Sequence, residues 1–325
     1  DAQFTIQQAK TPYIDSFCEQ LYQFYSIREG YAPQSDECHL TFFTGNVMPS
    51  QRGVFETLGC GLSVSDGQTC YKGIIAECNG DVVVNRRPAV SNISQIVKQL
   101  NICSQQNNLG FRFKEYENHR FVATFSGKTD FENDPLTDGK EKRNLHHELN
   151  ISLAKLKQDI QSLLGPNLEL LLRAPSYLQG FTSKFDATLF SDSPVIVGVG
   201  KCCFSDSFFV DYNTDQINQI KLFLSQNFAQ PQNLVLHFDK TDQFSHQQNQ
   251  NLKIKELEKI DSLLKDLDIK TYFKRVLILG DHSTDCKTGL HSDLTVPLAV
   301  WSGKQPEFKF EDYQGKEKVF GKDLW

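Results

Sequence analysis

Three short apolar runs in the second half of the chain, set off by one long amphipathic segment, constrain the fold most. NLVLHF (233–238), RVLILG (275–280) and VPLAVW (296–301) are strand-length and apolar on both faces. Between the first two lies NLKIKELEKIDSLLKDL (251–267). Its Leu252, Ile254, Leu257, Ile260, Leu263, Leu264 and Leu267 form a stripe at helical spacing, with charges opposite. Strands alternating with helices imply parallel βαβ units, hence an α/β domain. In such sheets functional groups gather on loops at the carboxyl ends of strands. Asp281-His282 and the segment around Asp242 both lie there.

The middle of the chain reads differently. YKGIIAE and GDVVVNRR look like two strands joined by a turn at Asn79-Gly80. ISQIVKQLN reads as a helix, and GFRFKEYENHRFVATFSG as two more strands joined by a longer turn. A helix through HELNISLAKLKQDIQSLLG stops at Gly165-Pro166. FENDPLTDGKEKRN (131–144) reads as a loop. The expectation is therefore an α+β block at 68–172, inserted between 1–67 and 173–325 of the α/β domain. A 325-residue chain with 23% charged residues can bury a substantial core. Its net charge of −6 argues against a nucleic-acid partner, and no run is long and apolar enough to span a bilayer. Nine cysteines without a CxxC pair read as reduced, buried thiols in an intracellular compartment.

Carboxylates and imidazoles cluster at the two strand ends. VLHFDKTDQFSH (235–246) offers Asp239, Asp242 and His246, and LILGDHSTDCKTGLHSD (277–293) offers Asp281, His282 and His291. These are the ligand types of divalent Mn or Zn. Two such clusters could hold two ions about 4 Å apart, an arrangement suited to phosphoryl transfer. Any one of these residues alone is more simply a cap or a surface group. Ser35, beside Asp36, could supply a nucleophile if a base or a metal activated it. A Ser-Asp pair is also an ordinary way to begin a helix.

In order along the chain, SDECHLTFF, RGVFETLGCGL, NRRPA, HFDKTDQFSH and GDHSTDCKTGLHSDLTVPLAVW resemble the motifs of archaeal-type cofactor-independent phosphoglycerate mutases, in the alkaline phosphatase superfamily. The resemblance implies an alkaline-phosphatase-like central, mostly parallel sheet flanked by helices, with an inserted α+β substrate-binding domain. Ser35 would be the phosphorylated nucleophile. Asp242, His246 and His291 would bind one divalent metal, Mn or Zn. Asp281 and His282, with Ser35, would bind the second of up to two ions. Arg86, Arg87, Arg120 and Arg173 would contact phosphoglycerate or a similar small phosphorylated acid.

Departures from the family pattern are uneven. The family's first-strand DGxGD, whose Asp completes the second metal site, has no counterpart in this sequence. The family's DPH reads Asp134-Pro135-Leu136, and its RGNF reads Lys72-Gly73-Ile74-Ile75. Metal-type residues are kept while substrate-contact positions have drifted. Two readings follow: a metal-dependent phosphotransferase interconverting 2- and 3-phosphoglycerate, or an inactive descendant kept as a structural subunit with protein partners in a larger assembly. A start at Asp1 suits a removed leader, which would favour mitochondrion over cytosol.

Overall fold

The computed structural model describes residues 2–80, 82–117, 119–127, 147–179, 181, 185–226 and 233–324. The loop expected at 131–144, with Asp134-Pro135-Leu136, lies outside these residues. The chain divides into two compact units, Asp1–Ser50 with Ser183–Trp325, and Gln51–Thr182.

The first unit is the α/β one. Phe185–Ser191 is the middle strand of a parallel three-stranded sheet, flanked by Phe204–Phe209 and Asn233–His237. A second sheet runs in the order Val276–Leu279, Val296–Trp301, Gln20–Tyr25 and Lys318–Phe320. Here the expected parallel relation fails locally: Val276–Leu279 pairs antiparallel with Val296–Trp301. The reason is the connection. No helix lies between them; the chain instead folds into a small antiparallel hairpin, Ser283–Asp285 with Leu290–Ser292, and returns. The amphipathic segment forms the helix Gln250–Asp266, whose first turn is capped by the Asn249 side chain accepting from Leu252 N–H. Its Ile260, Leu263 and Leu264 bury against Ile14, Phe17, Phe190, Trp301 and Tyr313.

The second unit is an antiparallel sheet covered on one face by helices. The strand Gln68–Asn79 pairs with Val82–Asn85, Arg120–Ser126 and Leu168–Ser176, and Arg120–Ser126 pairs with Phe111–Glu117. The turn at Asn79-Gly80 and the helix stop at Gly165 form where expected, each glycine at positive φ. Helices Ile93–Gln106 and His147–Leu164 share a core with the sheet, including Tyr71, Ile96, Leu100, Phe121, Leu156 and Leu172. The unit is wider than the 68–172 block because it includes the helix Arg52–Gly59. That helix approaches the sheet through Gly53, where a Cβ would come within 2.5 Å of the Ala174 carbonyl oxygen. The Val54 N–H donates to Ser176 Oγ at 2.9 Å. All nine cysteines are free thiols, as expected.

Candidate metal centre

Five elements of the first unit deliver ligand-type side chains. His237 ends the strand Asn233–His237, and Asp242 and His246 lie one turn apart on the helix Lys240–His246. Asp281 and His282 follow the strand Val276–Leu279. The hairpin pairs Thr284 with His291, which brings the His291 ring to 3.9 Å from that of His282. Ser35 is the first residue of the helix Ser35–Thr44, with His39 one turn further on. Ser35 is not the cap: the preceding residue, Gln34, donates its N–H to Glu37 Oε2 at 3.1 Å. The Ser35 hydroxyl instead lies 3.0 Å from His282 Nε2.

The histidines share one arrangement. Nδ1 of His39, His246 and His291 donates to the carbonyls of Ser35, Gly289 and Pro33, each at 2.7 Å. His237 Nδ1 contacts Ser191 Oγ at 2.9 Å, and His282 Nδ1 contacts Thr284 Oγ1 at 3.2 Å. A carbonyl only accepts, so in the first three rings a neutral imidazole carries its proton on Nδ1 and a lone pair on Nε2. That is how metal-binding histidines are oriented in proteins. The Thr284 hydroxyl donates to Asp242 Oδ1 at 2.5 Å. It therefore accepts from His282 Nδ1–H, which leaves His282 Nε2 facing the Ser35 hydroxyl.

These lone pairs face carboxylates. His246 Nε2 lies 3.1 Å from Asp242 Oδ2, and His291 Nε2 lies 3.8 Å from Asp242 Oδ1. Burial pushes His291 down to about 4, so its ring is uncharged at neutral pH. Burial works against ionisation of Asp242. The adjacent His246 and His282 rings and the Thr284 hydroxyl outweigh it and hold the carboxyl well below its usual range. Burial also lowers His39, and burial with the His39 neighbour takes His237 to about 3. Neutral imidazole nitrogens converging on ionised carboxylates form a donor set that fits a divalent cation.

The expected ligands are thus brought together, in a different grouping. Ligand atoms of Asp242, His282 and His291 lie within 4.8 Å of one another, and so do those of His39, His237 and Asp281. His282 had been expected beside Asp281, and its Nε2 is 3.3 Å from Asp281 Oδ2, so it borders both groups. His39 and His237 were missed. A lone His opening the largely apolar HLTFF, or at the end of NLVLH, reads as a core residue. The available signal was His39 standing four residues after Ser35. Asp239 and His246 are in neither group: Asp239 Oδ2 accepts from Gln243 Nε2 at 2.7 Å, and His246 meets the first group only through Asp242.

The four expected arginines lie in the second unit. Arg173 is buried, opposite Lys72 across the sheet, and Arg120 is opposite Ile74. The Arg87 N–H donates to Asn85 Oδ1 at 2.9 Å. Burial, with Arg120, Arg87 and Lys72 nearby, pushes His119 down to about 4, which marks this as a cationic neighbourhood. Sequence reasoning passed over its acidic hub. Glu56, 2% exposed, accepts from Arg52 Nε at 2.8 Å, Lys72 Nζ at 3.0 Å and Tyr116 OH at 2.7 Å.

Known proteins resemble this chain over most of its length. A family model described as 2,3-bisphosphoglycerate-independent phosphoglycerate mutase matches residues 20–164, and one described as Metalloenzyme superfamily matches residues 210–320. A probable 2,3-bisphosphoglycerate-independent phosphoglycerate mutase of Thermosipho africanus is 26% identical over 326 residues, spanning 91% of this chain and 79% of that protein. The chain is thus similar to the 2,3-bisphosphoglycerate-independent phosphoglycerate mutases over most of its length. A mutase of this kind from Saccharolobus islandicus is 27% identical, over 85% of this chain and 77% of that protein. Two solved structures share the fold. A Pyrococcus horikoshii protein aligns with TM-score 0.76 at 20% identity, over 98% of this chain and 89% of that one. The cofactor-independent phosphoglycerate mutase of Thermoplasma acidophilum aligns with TM-score 0.58 at 16% identity, over 98% and 91%. The match of residues 210–320 to the Metalloenzyme superfamily model implies dependence on a divalent metal. Among the described residues, no helix is long and apolar enough to cross a membrane.

Proposed function

We propose that the chain interconverts 2- and 3-phosphoglycerate through a phosphoserine at Ser35. The observation that carries this is the directed chain Ser35 Oγ–H to His282 Nε2, His282 Nδ1–H to Thr284 Oγ1, and Thr284 Oγ1–H to Asp242 Oδ1. It joins a nucleophile to a base, and the base to an anchor. Ser35 Oγ attacks the phosphorus as its proton passes to His282 Nε2. The bond from phosphorus to the glycerate oxygen breaks, and that oxygen takes a proton. After the glycerate re-orients, the phosphoryl group returns to its other hydroxyl and Ser35 regains a proton. Asp242, His246 and His291 would hold one divalent cation, Mn or Zn, with His282 and Asp281 within reach. Bound there, the cation would stabilise negative charge on the transferring phosphoryl group. Arg86, Arg87, Arg120 and Arg173 would bind the substrate's carboxylate and phosphate.

The relatives cited above are named as mutases, so the structural-subunit reading gains no support from them. A coupled assay for interconversion, on protein loaded with Mn or Zn, tests the proposal. Activity lost in Ser35→Ala is the expected result. Equal rates in Ser35→Ala and the unmodified chain would rule out Ser35 as nucleophile.

A further inference from the structure

We infer that Lys253 is a positioning residue for the proton route from Ser35, and that it acts through Thr284. Its Nζ donates to the Thr284 carbonyl oxygen at 3.2 Å. That hydrogen bond joins the helix Gln250–Asp266 to the hairpin of Ser283–Asp285 and Leu290–Ser292. The Thr284 hydroxyl, in turn, donates to Asp242 Oδ1 and accepts from His282 Nδ1. Thr284 is thus held twice, by Lys253 through the main chain and by Asp242 through the side chain. Both anchors belong to one corner of the chain. Only Gln247, Gln248 and Asn249 separate the helix of Asp242 from that of Lys253, and the Asn249 N–H closes the corner by donating to the Phe244 carbonyl at 2.9 Å.

Local preference does not explain this lysine. A cation near the start of a helix opposes the helix dipole. The apolar stripe would bury Leu252 and leave Lys253 outside. The structure does the reverse: Leu252 is 36% exposed and Lys253 half-buried, whereas Lys255 and Lys259 are exposed. Burial lowers the pKa of the Lys253 amine, while Cys286, Asp242, Asp281 and Asp285 act in the opposite sense. The amine therefore lies among carboxylates of both strand-end segments, where it fastens one to the other. The route it steadies has little slack. His282 Nδ1 to Thr284 Oγ1 is 3.2 Å, at the long end for such a bond, so a small shift of the Thr284 main chain parts them. The His282 ring then loses the contact that aims its Nε2 at the Ser35 hydroxyl.

The inference rests on the phosphoserine reading, and one set of variants separates the two. In the coupled assay Lys253→Met, which keeps much of the side chain's length and loses the donor, should lower kcat about tenfold with KM nearly unchanged. Lys253→Arg restores a donor and a charge and should recover most of that loss. In the Thr284→Val chain, Lys253→Met should lower kcat no further, because the hydroxyl that Lys253 positions is already gone. A merely structural lysine would lower kcat by the same factor in both backgrounds. That result, or an unchanged kcat in Lys253→Met, overturns the inference and leaves the phosphoserine reading standing wherever Ser35→Ala is inactive. An unmodified chain without activity overturns both. Should Lys253→Met fail to fold, Lys253→Gln, judged by the same comparison with and without Thr284→Val, decides.

Discussion

Replacing Glu56 by Gln keeps its shape and removes its charge, and the structure sets the cost. The carboxylate is buried and accepts from Arg52, Lys72 and Tyr116. Removing one partner of a buried ion pair typically costs about 3–5 kcal/mol. The Arg52 side chain is 26% exposed and can turn to water, which places the expected loss near the lower end, about 3 kcal/mol at pH 5. Lys72 makes the loss depend on pH. Burial and the Arg52 charge already push it down to about 7, while Glu56 pulls the other way. Without that pull it falls further. Between the lower value and about 7, the variant's folded state then binds fewer protons than that of the unmodified chain. Its stability therefore rises with pH relative to the unmodified chain, by up to about 1.4 kcal/mol per pH unit. The deficit should be largest near pH 5 and smaller at pH 8. Glu56 itself stays ionised at pH 5, because Lys72, Arg52 and Tyr116 outweigh burial and hold it well below the usual carboxylate range. Amide exchange in the strand Gln68–Asn79, with urea unfolding at both pH values, reads the effect. Glu29→Gln, which breaks an exposed pair with Lys318, is the control and should change little. Equal losses in the two variants, or a deficit that grows with pH, would refute the reasoning.

Three further outcomes follow, two from the centre and its supports and one from the sheet of the second unit. Gly289 sits at φ +69°, with space for a Cβ only 3.0 Å from the His246 carbonyl oxygen, and its own carbonyl orients His246. Gly289→Ala should weaken metal binding by about 10–100-fold in a competition titration, as loss of an orienting contact does. Thr284→Val removes the link between His282 and Asp242 and should lower kcat by about tenfold or more with KM nearly unchanged in the coupled assay. Gly73→Ala would drive a methyl group into the Phe121 ring; loss of about 1–3 kcal/mol in urea unfolding is expected.

Much of the fold was legible because period and punctuation agree. The stripe Leu252 to Leu267 could only bury as a helix, and Asn79-Gly80 and Gly165 mark a turn and a stop that positive φ requires. The reversal at Val276–Leu279 was not legible, since an apolar run of that length reads alike in parallel and antiparallel pairings. For the centre, residue types at strand ends pointed to Asp242, His246, Asp281, His282 and His291. Their grouping depended on a hairpin register that sets Thr284 against His291, and spacing along the chain does not encode it. His39 and Glu56 were hidden for one reason: each reads as one more polar residue of a short helix, and only the tertiary contacts show what it serves.

The central claim is that imidazoles held through Nδ1 turn their other nitrogens onto Asp242 to hold a cation beside Ser35. Anomalous diffraction at the zinc edge, from crystals grown with zinc, tests it most directly. The account requires a peak in contact with Asp242, His246 and His291. Diffraction showing well-ordered side chains at these residues and no anomalous peak among them would contradict it.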